Sequence, residues 1–146
     1  MTDTMNDILE SFSMLDDWED RYRYVIELGR ELPPYPEEAR DEAHKVPGCV
    51  SQVWLLTKRG EGADPVMTFV GDSDAHIVRG LVYILITFYS GKHASEVRDA
   101  DIEKILKKLG LDENLTPQRS NGLRSMVERI RLEARNTLQN NKSIFL

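Results

Sequence analysis

Three prolines within four residues, Pro33, Pro34 and Pro36, divide this 146-residue chain into a helical opening and everything that follows. Proline gives no backbone N–H to a helix or a sheet and pushes the residue before it out of the helical region, so no regular element can run through this point. Upstream, the apolar residues keep helical spacing. Ile8, Leu9, Phe12 and Leu15 recur behind Asp3 or Thr4, and Trp18, Tyr22, Val25, Ile26 and Leu32 recur behind Asp16. Asp16, with Glu19 three residues on, predicts the capping box of the second helix, which must stop near Leu32. Pro33 to Ala43 is then expected to be a stiff loop with little regular structure.

Beyond the prolines the period changes. Val53, Leu55 and Thr57 alternate with Gln52, Trp54 and Leu56, a strand pattern, and Val66 to Val70 reads as its partner. Arg59 to Pro65 between them is rich in turn residues, so the two form an antiparallel hairpin, to which a third short strand near Val46 would add. Gly71, Asp72 and Ser73 are expected to end the second strand and cap a central helix through Ile77, Leu81, Ile84, Leu85 and Phe88 toward Gly91. A shorter helix follows from Asp101 to Leu109, stopped by Gly110. Thr116-Pro117 opens a last long helix whose buried stripe is Leu123, Met126, Val127, Ile130 and Ala134. These elements predict an α+β fold, helices packed on a small antiparallel sheet, in one domain over 1–146 with its core at about 5–139 and a frayed tail over 140–146.

Nineteen Lys and Arg against twenty-five Asp and Glu leave a formal charge of −6, which argues against a nucleic-acid binder that relies on bulk positive charge. The first residues carry no basic stretch leading into an apolar one, so export is not expected. The longest apolar run, Gly80 to Tyr89, has about half the length that a bilayer crossing needs and reads as a core element. No membrane association and a cytoplasmic, reducing compartment are expected. A single cysteine rules out an internal disulfide.

That cysteine, Cys49, is the candidate for chemistry. It follows Pro47-Gly48 on a loop leading into the first strand, and Gly48 permits backbone conformations closed to other residues, so the thiol could be presented or withdrawn by local rearrangement. A lone cysteine can equally be a small buried hydrophobe, and both readings stand on the residues alone. The nearest cations, His44 and Lys45, lie upstream on a flexible segment and offer no strong activation. There is no second cysteine for a CxxC exchange, and His44, His76 and His93 show neither protease nor zinc spacing, so no metal site is expected. His76 and His93 read as surface or capping residues, and Trp18 and Trp54 as core aromatics. Asp72, Ser73 and Asp74 read as helix caps. Arg119 stands at the start of the last helix, where positive charge opposes the macrodipole, and a partner would explain it.

Taken together, Gly48-Cys49-Val50-Ser51-Gln52-Val53-Trp54, Gly71-Asp72-Ser73-Asp74-Ala75 and Leu115-Thr116-Pro117 with Arg119-Ser120-Asn121-Gly122-Leu123 resemble the SufE family of sulfur-acceptor proteins. Trp18-Glu19-Asp20-Arg21-Tyr22 and Ile26-Glu27-Leu28-Gly29 fit as well, so the resemblance runs from about Ile8 to Leu138. It implies an α+β fold similar to the IscU-type scaffold. It implies that Cys49 takes persulfide sulfur from a PLP-dependent cysteine desulfurase, SufS-like or CsdA-like, stimulates that enzyme, and passes sulfur to an iron-sulfur assembly scaffold containing SufB or to another acceptor. The PLP belongs to the partner, and the acceptor needs no cofactor and no turnover of its own. Gly48, Ser51, Gln52, Asp74 and Arg119 are carried over as partner-binding residues. The alternative is a non-catalytic module that binds a desulfurase while Cys49 only packs.

Overall fold

A computed structural model describes residues 4–144. Thr4 caps the first helix, α1 (Met5–Ser13): the Asp7 amide donates to Thr4 Oγ1 at 3.2 Å and the Thr4 amide to Asp7 Oδ2 at 3.1 Å. The next helix, α2 (Trp18–Gly29), is capped by Asp17 and not by Asp16. Asp17 has the extended backbone that aims its carboxylate at the Asp20 amide, 2.9 Å away, while Glu19 pairs outward with Arg23. Single turns carry the chain from Gly29 to Leu32. The proline segment holds more structure than expected, two short 3-10 turns at Glu37–Ala39 and Glu42–His44, the second capped by Asp41 accepting from the His44 amide at 3.0 Å.

Strands β1 (Val53–Arg59) and β2 (Val66–Ser73) form the antiparallel hairpin, paired from Val53–Ser73 to Arg59–Met67. Here β2 continues through Gly71, Asp72 and Ser73, which were expected to end it. Gly71 is a packing glycine: a Cβ there would lie 2.8 Å from Val82 Cγ1, so its bare backbone lets the next helix press against the strand. That helix, α3 (His76–Tyr89), has Ala75 at its N-cap and no side-chain cap, because the Ser73 hydroxyl accepts from the Ala75 amide one step too early, at 3.3 Å. The third strand is not near Val46. It is β3 (Lys92–His93), which pairs with β2 after Gly91, at φ +89°, turns the chain back and gives its amide to the Met67 carbonyl at 2.8 Å. The Val46 region makes one isolated bridge, Lys45 to Trp54, with the Val46 amide on the Val53 carbonyl at 2.8 Å, and Pro47-Gly48 stop it from growing into a strand.

Beyond the sheet come α4 (Ala94–Asp99), which the periodicity does not reveal, α5 (Ile102–Lys108), close to the expected bounds and capped by Asp101, and α6 (Leu111–Asn114) after Gly110 at φ +72°. The last helix, α7 (Pro117–Ile144), starts where Thr116 Oγ1 accepts from the Arg119 amide at 3.3 Å. It continues past Asn140, where the tail was expected to fray, and Phe145 and Leu146 lie outside the described residues.

The core forms around α3, whose Ile77, Leu81, Ile84 and Leu85 are buried, and takes in the α7 stripe from Leu123 to Ala134. Helices α2 and α3 approach so closely that a Cβ on Gly80 would stand 2.0 Å from the Val25 carbonyl oxygen. Trp18 packs against this core. Trp54 does not: it is half-buried under the Arg40 guanidinium, 5.0 Å from its ring centroid. No helix among the described residues is long and apolar enough to cross a membrane.

Candidate functional site

Cys49 sits on the segment between the second 3-10 turn and β1, laid across the first turns of α7. Gly48 holds φ at +85°, a left-handed conformation that an L side chain resists, and a Cβ there would also stand 2.6 Å from Ser125 Oγ. This turns the half-buried Cys49 side chain toward α7, where the thiol donates to the Gly122 carbonyl at 3.5 Å. A Cβ on Gly122 would stand 3.7 Å from Sγ, an ordinary contact, so the sulfur lies directly against this turn of α7. Burial pushes the thiol pKa up from its ordinary value, and no cation contributes against it. His44 Nδ1 is engaged with Asp41 at 2.7 Å, and Lys45 faces Glu42 at 3.9 Å, which agrees with the weak activation read from the sequence.

A cleft of about 250 Å³ opens beside the sulfur, its wall made by Cys49, Ser51, Leu81, Thr116, Arg119 and Met126. Two of the five expected partner-binding residues, Ser51 and Arg119, therefore share a cleft with the thiol. Arg119 turns away from the start of α7 and lies over the Tyr22 ring of α2, 6.0 Å from its centroid, which accounts for a cation at that helix end. Gly48 does not line that cleft; it lines a second hollow at Cys49, with Lys45 and Arg129. Gln52 and Asp74 are exposed and outside the cleft. They hold each other, the Gln52 amide donating to Asp74 Oδ1 at 3.0 Å and the Asp74 amide to the Gln52 carbonyl at 3.3 Å, so Asp74 fastens the exit of the cysteine segment to the corner between β2 and α3.

Other residues that hold the segments leading to the site escaped the sequence reading. Asp72, read there as a cap, lies in β2 directly across from Trp54 and accepts from Arg40 Nη2 at 2.6 Å while pairing with Arg79 Nε at 3.0 Å. It thereby lays Arg40 flat between Trp54 and Tyr35 and pins the proline segment on the sheet. The hairpin register brings Asp72 to Trp54, but nothing local announces Arg40, which is 32 residues away. Arg129, on α7, donates to the carbonyls of Ala43 and Lys45 and is likewise invisible in the local pattern. His93 stands at the N-cap of α4, its amide donating to Glu96 Oε1 at 3.1 Å and its ring meeting the Asp64 carbonyl at 2.8 Å, and His76 is exposed at the start of α3. Among the described residues no group of three or more His, Cys, Asp or Glu is placed to hold a metal.

Comparison with known proteins bears on what this arrangement is for. A family model described as SufE, an Fe-S metabolism associated domain, matches residues 6–134. An uncharacterized SufE-like protein of Rhizobium etli is 59% identical over 133 residues, covering 90% of each chain, and one of Rhizobium meliloti is 54% identical over 136 residues, covering 92% of this chain and 97% of the relative. The solution structure of a hypothetical protein from Thermus thermophilus shares the fold, with a TM-score of 0.70 at 23% identity over 92% of this chain and 96% of the other. With Cys49, Gly48 and the Thr116-to-Gly122 turn of α7 all inside the matched span, the chain belongs to the SufE family, whose domain serves iron-sulfur metabolism as an accessory of sulfur transfer.

Proposed function

We propose that Cys49 is a persulfide acceptor that takes sulfur from a PLP-dependent cysteine desulfurase, stimulates that enzyme by clearing its sulfur, and hands the sulfur to an iron-sulfur assembly scaffold or another acceptor. The observation that carries this reading is the placement of one half-buried thiol, on a glycine-hinged segment, at the wall of a cleft that also presents Ser51 and Arg119. The chemistry asks for little else. Cys49 gives up its proton and attacks the outer sulfur of the donor's Cys–S–SH; that S–S bond breaks, the donor cysteine leaves as a thiolate, and Cys49 becomes the persulfide, with no net oxidation or reduction. One thiol suffices, and neither cofactor nor independent turnover is required of this chain.

The raised thiol pKa supports a resting state in which Cys49 is shielded under its segment, since only the thiolate attacks. Docking of the desulfurase would draw the segment off Gly122 and lower that barrier. Ser51, Gln52, Asp74 and Arg119 frame the docking face in this reading, with Gly48 as the hinge, and the cytoplasm is where such a relay works.

The test is intact-protein and peptide mass spectrometry after incubation with a cysteine desulfurase, PLP and L-cysteine without reductant, with Cys49→Ser alongside. One added sulfur on Cys49, absent from the variant, is the expected result. No added sulfur despite demonstrated binding of the desulfurase overturns the proposal and favours a binding module, a second reading to which the Cys49–Gly122 contact lends itself because a merely packed thiol would make it too.

A further inference from the structure

Helix α7 presents one face to the segment that carries Cys49. Gly122, Ser125, Arg129 and Glu133 follow one another at steps of three and four residues, the spacing that stacks side chains on one side of a helix. Gly122 takes the thiol and Ser125 crowds Gly48, while Arg129 holds the entrance of the segment. Arg129 Nη2 donates to the Ala43 carbonyl at 2.7 Å, Nη1 to the Lys45 carbonyl at 3.1 Å, and Nε to Glu133 Oε1 at 3.0 Å. The other oxygen of Glu133 accepts from Arg59 Nη2 at 2.8 Å, at the far end of β1, so the anchor of Arg129 is itself anchored. The Arg129 and Glu133 side chains are only 17% and 20% exposed, so water competes weakly for these bonds.

We propose that Arg129 is a positioning residue for the Cys49 thiol, its planar fork holding Ala43 and Lys45 against α7 so that the sulfur rests over Gly122. This builds on the reading of Cys49 as the reacting thiol. The entrance is tied to β1 as well, by the Lys45–Trp54 bridge and the Val46–Val53 bond, and the exit is tied by the Gln52–Asp74 pair, with Gly48 between them at its left-handed φ. Without Arg129 the stretch from Ala43 to Lys45 loses two bonds to α7 and keeps its ties to β1, so the segment is no longer pressed on α7 and the thiol is held over Gly122 less firmly. A guanidinium meets two carbonyls and a carboxylate at once because its donors diverge in one plane; a lysine ammonium lacks that fork and restores the hold in part.

The experiment is the rate of Cys49 alkylation by iodoacetamide at one fixed pH in the full chain, for the wild type, Arg129→Met and Arg129→Lys. Arg131→Met is the control: Arg131 is as buried, at 18% exposed, and bonds Glu103 and the Ala100 carbonyl away from the cysteine segment. Arg129→Met is expected to react roughly tenfold faster, the ratio produced by losing about one charged hydrogen bond from the shielded state. Arg129→Lys should fall between it and the wild type, and Arg131→Met should keep the wild-type rate. An unchanged rate in Arg129→Met, or an equal rise in Arg131→Met, overturns the proposal. If Arg129→Met does not fold, Arg129→Lys is compared with Arg131→Lys: a faster thiol in the first alone supports the clamp, and equal rates overturn it. Alkylation needs no desulfurase, so a slow thiol in Arg129→Met with normal sulfur loading defeats only the clamp, whereas a fast one with no sulfur loading in any chain defeats only the sulfur-acceptor reading.

Discussion

Cys49 and Gly122, 73 residues apart in sequence, meet where the thiol donates to a helix carbonyl at 3.5 Å. Around this contact the sulfur is half-buried and no charge offsets its desolvation, so the neutral thiol is favoured over the thiolate. Titration of Cys49 alkylation against pH is expected to give a midpoint above that of a free cysteine peptide. Because the folded value is raised, the same burial adds stability below the ordinary thiol pKa and loses it as pH climbs through and beyond that value. Thermal unfolding of the wild type should therefore weaken more steeply than that of Cys49→Ser above about pH 9. A midpoint at or below the ordinary thiol range would contradict the shielded resting state.

Asp74→Ala removes the acceptor of the Gln52 amide at an exposed site. The expected loss of stability is small, about 1 kcal/mol. Hydrogen exchange should show the Gln52 amide losing protection while the β1–β2 ladder keeps its own. An equal loss across β1 would mean that Asp74 supports the sheet and not the segment.

Asp72→Leu leaves the Arg40 and Arg79 guanidinia facing each other without the carboxylate between them. Partly buried cations left unpaired make this costly, about 2 to 3 kcal/mol in chemical denaturation. Arg40 should leave the Trp54 ring, making tryptophan emission more accessible to iodide quenching. Unaltered quenching would show that Arg40 stays on Trp54 without Asp72.

Gly80→Ala places a methyl 2.0 Å from the Val25 carbonyl oxygen and 2.5 Å from Val25 Cγ1, in the middle of the α2–α3 crossing. Backbone cannot yield there as a flexible side chain would, so about 3 kcal/mol or more of stability should be lost. Denaturant unfolding measures it. A wild-type midpoint would mean that the two helices separate freely.

Particular residues show how far local pattern carries. Thr4, Asp101 and Thr116 act as caps as their residue types predict, because a cap is decided within one turn of helix. Ser73 has the right chemistry but remains in β2, since the hairpin ladder outbids a cap that it could have formed. Near Val46 a strand was expected, and the partner of β2 proved to be Lys92–His93, a pair of residues too short to show any period.

The sequence by itself determined most helices, the hairpin and the buried stripe of α7, and it marked Cys49 as the candidate for chemistry, all of which follow from spacing and from residue chemistry within a few positions. Only the tertiary structure decided where that thiol rests and what holds it. Gly122 and Arg129 from α7 and Asp74 from the corner after β2 reach the cysteine segment from distant parts of the chain, as Asp72 reaches Arg40 on the proline segment. Their contacts leave no local signature, because a hydrogen bond between residues tens of positions apart depends on how helices and strands pack and not on the order in which the side chains are strung.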